Sequence, residues 1–273
     1  MTKSATIIDA KSSQARYWLD LWTYRDLLYF LSWRDILVRY KQTVIGVAWA
    51  VIRPLLTMLI FTFIFGRVAK LPSEVPYPVL VFAAMLPWYF FSTAFSEAGN
   101  SLITNSNMIS KVYFPRLIIP VSTVAVALVD LAISFVVMFG LMLWFGVWPT
   151  WRLLLLPVFV ILAALAALGP GLWFAALNVR YRDFRYIVPF ITQLGLYISP
   201  VGFSSAIIPP QWRLLYSLNP MVSVIEGFRW SLLGTATPVE PSAIALSVMI
   251  VVLLLVSGLW YFRKTEDTFA DVI

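Results

Sequence analysis

The chain has 273 residues, 61% of them hydrophobic and only 12% charged, with a net charge of +7 and a mean hydropathy of +0.86. Soluble domains carry roughly 25% charged residues, so most of this surface is built to meet lipid. The absence of Cys and His excludes disulfides, thiolate nucleophiles, the commonest metal ligand and the usual neutral-pH acid–base group; neither a metal nor a cofactor is expected in the chain.

Met1 to Gln14 is polar and lacks the apolar core of a secretory signal, so insertion is expected to rely on later segments. Leu21 to Tyr40 is apolar but contains Arg25, Asp26, Arg34, Asp35 and Arg39, too many charges for a span. Arg25, Ser32 and Arg39 recur on one helical face, and Asp35 interrupts the apolar side. This pattern predicts a helix lying in the membrane interface, serving either as a plain anchor or as a dock for a partner.

Six stretches then have the length to cross about 30 Å of hydrocarbon. They run from Val44 to Phe65, Tyr77 to Ser96, Leu117 to Phe145, Leu153 to Leu177, Ile187 to Phe203 (the shortest) and Ser242 to Phe262. The predicted fold is an all-α polytopic membrane protein with six transmembrane helices. Residues 1–43 form its N-terminal arm and interface helix, 44–262 its membrane domain and 263–273 its tail. An even number of spans puts both termini on one side. Lys and Arg crowd that side, in the N-terminal arm, at Lys111 and Arg116, at Arg180, Arg182 and Arg185, and at Arg263 and Lys264. The positive-inside rule makes it cytoplasmic. The net positive charge then follows from orientation and anionic lipid, with no nucleic acid required.

Polar residues within spans are costly and mark either pathways or helix pairing. Trp49, Arg53, Thr57, Phe61 and Phe65 fall on one ridge of span one, and Thr123, Ala127, Asp130 and Ser134 share a face of span three. Arg53 and Asp130 either line a polar route or pair with each other, or Arg53 reaches back to headgroups. Glu97, at the end of span two, calls for no special role. Trp88, Phe91 and Phe95 share a face of span two. With Phe61 and Tyr197 they offer either flat surfaces for sugar rings or ordinary helix packing.

Between spans five and six the chain is broken by Pro200, Pro209-Pro210 and Asn219-Pro220. Asn219 suits an N-cap and Pro220 the first helical position. The pieces after them are too short to cross, and a seventh span would bury Glu226 and Arg229 in hydrocarbon. The expectation is a pair of re-entrant helices over about 204–234 on the outer side, forming a gate. Glu226 and Arg229, three apart, are positioned to form an ion pair there or to cap a solvent-facing helix. No G-x-x-x-x-G-K-[ST] phosphate loop occurs. Any ATP and Mg²⁺ must therefore sit on a separate subunit, reached through cytoplasmic loops, with Arg34, Arg39, Lys111, Tyr113, Arg116 and Arg182 as coupling candidates.

The segments RDILVRYKQTVIGVAWAVIRPL (Arg34 to Leu55), ISKVYFPR (Ile109 to Arg116), RYRDF (Arg180 to Phe184), SPVGF (Ser199 to Phe203) and LNPMVSVIEGFRW (Leu218 to Trp230) together resemble the ABC-2 type permeases that export O-antigen, capsular polysaccharides and teichoic acids. The resemblance implies a homodimeric, non-catalytic permease with a cytoplasmic ATPase on each protomer and a lipid-linked polysaccharide as substrate. It also implies an interface helix before span one and short re-entrant helices before span six. The competing classes are a membrane-embedded enzyme for lipid-linked sugars, which needs a carboxylate cluster where this sequence has only scattered acids, and an ion-coupled secondary transporter, which needs intramembrane carboxylates and often inverted repeats, where Asp130 is the only central carboxylate and no repeat is evident.

Overall fold

The computed structural model describes residues 14–41, 46–181, 183–235 and 240–269. Arg182, the expected start of span one at Val44 and the side chain of Trp49 lie outside the described residues.

Helices dominate. The N-terminal arm forms α1 (Gln14–Thr23) and α2 (Arg25–Lys41), separated by a turn at Tyr24 where a single helix was expected. Asp26 in the first turn of α2 and Arg39 and Lys41 in its last complement the helix dipole. Then follow α3 (Gly46–Phe61, continued by a π-helical turn Thr62–Val68), α4 (Tyr77–Thr104), the single turn α5 (Ser106–Ile109), α6 (Ile118–Trp144), α7 (Leu156–Arg180) and α8 (Phe184–Ile198). The short α9 (Pro210–Tyr216) and α10 (Pro220–Leu233) precede α11 (Pro241–Thr265).

Among the described residues, five helical stretches are long and apolar enough to cross a membrane: Val51–Val68, Tyr77–Thr104, Ile118–Trp144, Trp151–Arg180 and Pro241–Thr268. The stretch expected as span five is the exception. Its helix, α8, has 15 residues, about 22 Å at 1.5 Å per residue, because Ser199 turns to extended backbone ahead of Pro200. The second span is longer than expected and runs on to Thr104.

The core is built around α4, whose Val79 to Leu86 are all buried. It packs against α6, α7 and α10, and α7 packs against α11. Small residues allow this closeness. A Cβ on Gly169 of α7 would lie 2.8 Å from the Leu255 nitrogen of α11, one on Gly258 would strike the Gly169 carbonyl, and one on Gly171 would lie 2.8 Å from Ala98. Where lipid supplies no hydrophobic drive between helices, such backbone proximity and its dispersion energy hold them together. Val136, Leu143, Val158, Ile161, Leu253 and Val256 stay exposed on the outside, as expected of side chains facing acyl chains.

The interface segment is inside-out compared with a soluble amphipathic helix. Leu31 and Ser32 are buried against α6, with the Ser32 hydroxyl directed at the Ser122 carbonyl (3.5 Å), while Tyr29, Phe30 and Trp33 are exposed. Asp35 does not spoil the apolar side, because its carboxylate pairs with the neighbouring Arg34 at 2.7 Å. The two ends of the described chain meet: Tyr17 of α1 donates to Glu266, just past α11, at 3.1 Å. At the opposite face the Tyr77 hydroxyl, at the start of α4, donates to the Gly202 carbonyl at 2.6 Å.

Candidate functional site: a polar cavity between two charged ends

A cavity of about 630 Å³ lies among α2, α3, α4, α6 and α8 and is lined by Arg39, Tyr40, Arg53, Tyr89, Glu97 and Asp130, with the hydroxyls of Ser92, Thr93, Ser96, Ser134 and Thr192 between them. Arg53 and Asp130 therefore do share a site, but not as a pair. Asp130 accepts hydrogen bonds from Arg39 and Tyr40, and the other arm of the Arg39 fork reaches Glu97. Arg53 instead lies 5.8 Å from the Tyr89 ring centre, and among the described residues no carboxylate pairs with it. Tyr89 donates to the Thr57 hydroxyl at 2.9 Å, and Thr57 donates to the Arg53 carbonyl at 3.0 Å, so the polar ridge of α3 is braced against α4.

Glu97, to which the sequence assigned no role, thus lines the cavity and holds Arg39. Its hydrogen-bond partner Arg39 lies 58 residues away, and no local pattern indicates it.

The aromatic ladder divides. Phe91 lies tilted against Trp88 at 5.5 Å and stacks on Phe95 at 5.8 Å. Trp88 and Phe95 are nevertheless buried in the protomer's own core together with Phe61, and the Trp88 ring fills the space beside Gly195 of α8. Packing is what these three do here. Phe65 is only partly buried; its ring stands against Gly202 and edge-on to Phe61 at 5.5 Å. Tyr197 is 62% exposed and faces outward.

At the Gly202 face, the Asn219 side chain accepts the Met221 N–H at 3.0 Å and donates to Ser199 at 2.9 Å. Pro220 occupies the first turn. Gly234 closes α10 in the left-handed conformation, φ 64°, where a Cβ would be strained. Arg229, 1% exposed, donates to the carbonyls of Phe203 (2.8 Å), Val201 (3.0 Å) and Leu80 (3.3 Å). It also pairs with Glu226 at 3.3 Å, and Glu226 accepts the Ser205 N–H at 3.0 Å. The ion pair anticipated from spacing is formed, and burial of Arg229 removes the solvent-facing cap as its explanation. A cavity of about 280 Å³ lies beside it, lined by Glu74, Ser204, Glu226, Arg229 and Thr235.

The remaining described coupling candidates lie at the face where Tyr17 meets Glu266. Arg34 donates to Asn105 at the end of α4 at 3.0 Å. The Arg39 guanidinium points into the cavity, so any contact it makes with a partner is through the position of α2. In the loop from Asn105 to Arg116, Phe114 is buried while Lys111, Val112 and Tyr113 are exposed at the tip. Arg116 is tied by its backbone N–H (2.9 Å) and its guanidinium to Glu266. Burial, reinforced by the Glu266 carboxylate, holds the Tyr17 hydroxyl above its usual range, so it remains a donor.

A model of the ABC-2 type transporter family matches residues 26–233 of the chain. The chain is 30% identical over 257 residues to the O-antigen export system permease protein RfbA of Myxococcus xanthus, an alignment covering 93% of this chain and 98% of that protein. It is 28% identical over 253 residues to the protein of the same name from Klebsiella pneumoniae, covering 91% and 95% respectively.

Proposed function

This chain belongs to the ABC-2 type transporter family, and from that membership we propose that it is the permease subunit of an ABC exporter that carries a lipid-linked polysaccharide of O-antigen type across the bacterial cytoplasmic membrane. Two copies of the chain would work with two cytoplasmic ATPase subunits, which would hold the ATP and Mg²⁺ for which this chain carries no phosphate loop. Six passes with both termini cytoplasmic are supported by the meeting of Tyr17 and Glu266, which requires an even number of crossings between them. The α8 segment supplies the sixth. Val188 lies beside Gly99 near one end of α4, and Gly202 reaches Tyr77 at the other. The 15-residue helix and its Pro200 turn together therefore cover the layer that α4 spans alone. The α9 and α10 pieces then form the re-entrant outer gate, with Asn219 and Pro220 setting its entrance and the Glu226–Arg229 pair holding it to the Val201–Phe203 turn.

The single observation that carries the transport reading is the cavity of about 630 Å³, a hydroxyl-rich, charged space inside an apolar helical layer. Such space is expensive in lipid unless a polar substrate uses it. Arg53 is the cation there without a carboxylate partner among the described residues, and its planar fork suits the phosphate oxygens of a lipid carrier. Lys111, Tyr113 and Arg116, with Arg34, would pass the ATPase stroke to the spans, and Arg182 is assigned to the same role from the sequence alone. An ion-coupled carrier is disfavoured by the engagement of Asp130 with Arg39 and Tyr40.

The test is ATP-driven export in membranes containing the permease and its ATPase. Arg53→Ala should lower export about tenfold or more, the loss of one charge-assisted contact, at normal permease levels, and Arg53→Lys should restore only part. Export at the wild-type rate by Arg53→Ala, or export by the permease without any ATPase, would refute the reading.

A further inference from the structure

Glu266 joins three parts of the chain that are remote in sequence. Its Oε1 accepts the Tyr17 hydroxyl of α1 (3.1 Å) and the Arg116 N–H (2.9 Å), its Oε2 accepts Arg263 (3.0 Å), and its own carbonyl accepts the Arg116 guanidinium. Arg263 in turn lies 3.3 Å over the Tyr17 ring. The carboxylate is largely buried, and the apolar floor beneath it is continuous: Phe262 and Phe269 meet edge to face at 5.3 Å, with Tyr17, Phe114 and Leu117 in the same buried cluster.

A carboxylate is costly to bury and is kept where several donors converge on it. Here those donors come from the N-terminal helix, from the base of the Asn105–Arg116 loop and from the last span. Two points of attachment on Arg116, backbone and side chain, fix both the position and the direction of the chain as it leaves the loop, while the side chains of the tip from Lys111 to Tyr113 are exposed. We propose that Glu266 is a positioning residue for energy coupling: it locks the last span and α1 to the root of the ATPase-facing loop, so that movement of the loop tip is transmitted to the spans instead of being absorbed by a flexing loop. This rests on the reading of Lys111–Tyr113 as the ATPase contact, and the experiment separates the two.

The chain contains no cysteine, so Val112→Cys places a single thiol on the tip. Membranes with and without co-expressed ATPase are treated with a water-soluble maleimide, and glycan export and ATP hydrolysis are measured in parallel. In the otherwise wild-type chain the ATPase should slow labelling of Cys at position 112 severalfold. With Glu266→Gln added, that protection should largely vanish, and export per ATP hydrolysed should fall about tenfold, the effect of losing one charged hydrogen-bond acceptor, with hydrolysis itself continuing. Glu266→Asp should recover part of both. A passive structural role would lower the amount of permease without changing the export-to-hydrolysis ratio. If the tip is never protected by the ATPase, the coupling reading fails and this inference with it. If protection and the ratio are unchanged in Glu266→Gln, the inference alone fails. Should Glu266→Gln not accumulate in the membrane, Tyr17→Phe carries the same test, since it removes one hydroxyl donor from the junction; protection and a ratio equal to wild type would overturn the proposal.

Discussion

The two faces of the helical layer each hold an arginine, one buried and one partly exposed, and they satisfy it differently. Arg229, at the Gly202 face, is 1% exposed and takes three backbone carbonyls and one carboxylate. Arg39, toward the Tyr17–Glu266 face, is about a third exposed beside the 630 Å³ cavity and is held by the carboxylates of Glu97 and Asp130. Carbonyls belong to the fold and cannot leave, so Arg229 is a fixed brace joining α10, α4 and the 201–203 turn. Carboxylates on separate helices can move apart or accept other cations, so Arg39 is a clasp between α2 and the spans that a change in the cavity can loosen. The difference suits a device with a gate on one side and a moving input on the other.

The largest effect is expected at the brace. Arg229→Gln should cost about 3–5 kcal/mol, as when one partner of a buried pair is removed, read as a large fall in melting temperature of the detergent-solubilised protein. Adding Glu226→Gln should recover only part of the loss, because Leu80, Val201 and Phe203 still lack their donor; recovery to wild-type stability would show that the carboxylate alone mattered.

At the clasp the pattern should invert. Arg39→Gln is expected to cost about 1–3 kcal/mol by removing the cation that Glu97 and Asp130 share, less than at the brace because water reaches the cavity. Removing both carboxylates as well, with Glu97→Gln and Asp130→Asn, should return most of the stability. A triple variant no better than Arg39→Gln would erase the distinction between clasp and brace.

The smallest effect is expected at the start of α10. Asn219→Ala removes the cap from the Met221 N–H and the bond to Ser199 and should cost about 1 kcal/mol, a melting shift detectable only beside matched controls.

Local rules were good guides where one helix sufficed. Asn219 and Pro220 begin α10 because a side-chain oxygen and a missing N–H suit the first turn, and Glu226 and Arg229 meet because three residues bring them to one face. The rule of length was weaker for α8, where the Pro200 turn divides the crossing between helix and loop. Periodicity also placed Arg53 and Asp130 on faces that do border a common cavity. It offered no means of choosing Arg39 over Arg53 as the partner of Asp130, and it passed over Glu97 and Glu266 altogether.

What the sequence by itself determined is the class of molecule: apolar runs too long and too poor in charge to be covered by water-compatible side chains, punctuated by Pro, Gly and Asn where the backbone must turn. Which charges meet was decided only by the tertiary structure. Arg39 finds Glu97 and Asp130 at separations of 58 and 91 residues, and Glu266 finds Arg116 at 150. A helical repeat states which residues share a face of one helix. It is silent on the rotation and depth at which two helices pack, and these are set by small residues such as Gly169, Gly171 and Gly258, where backbones touch.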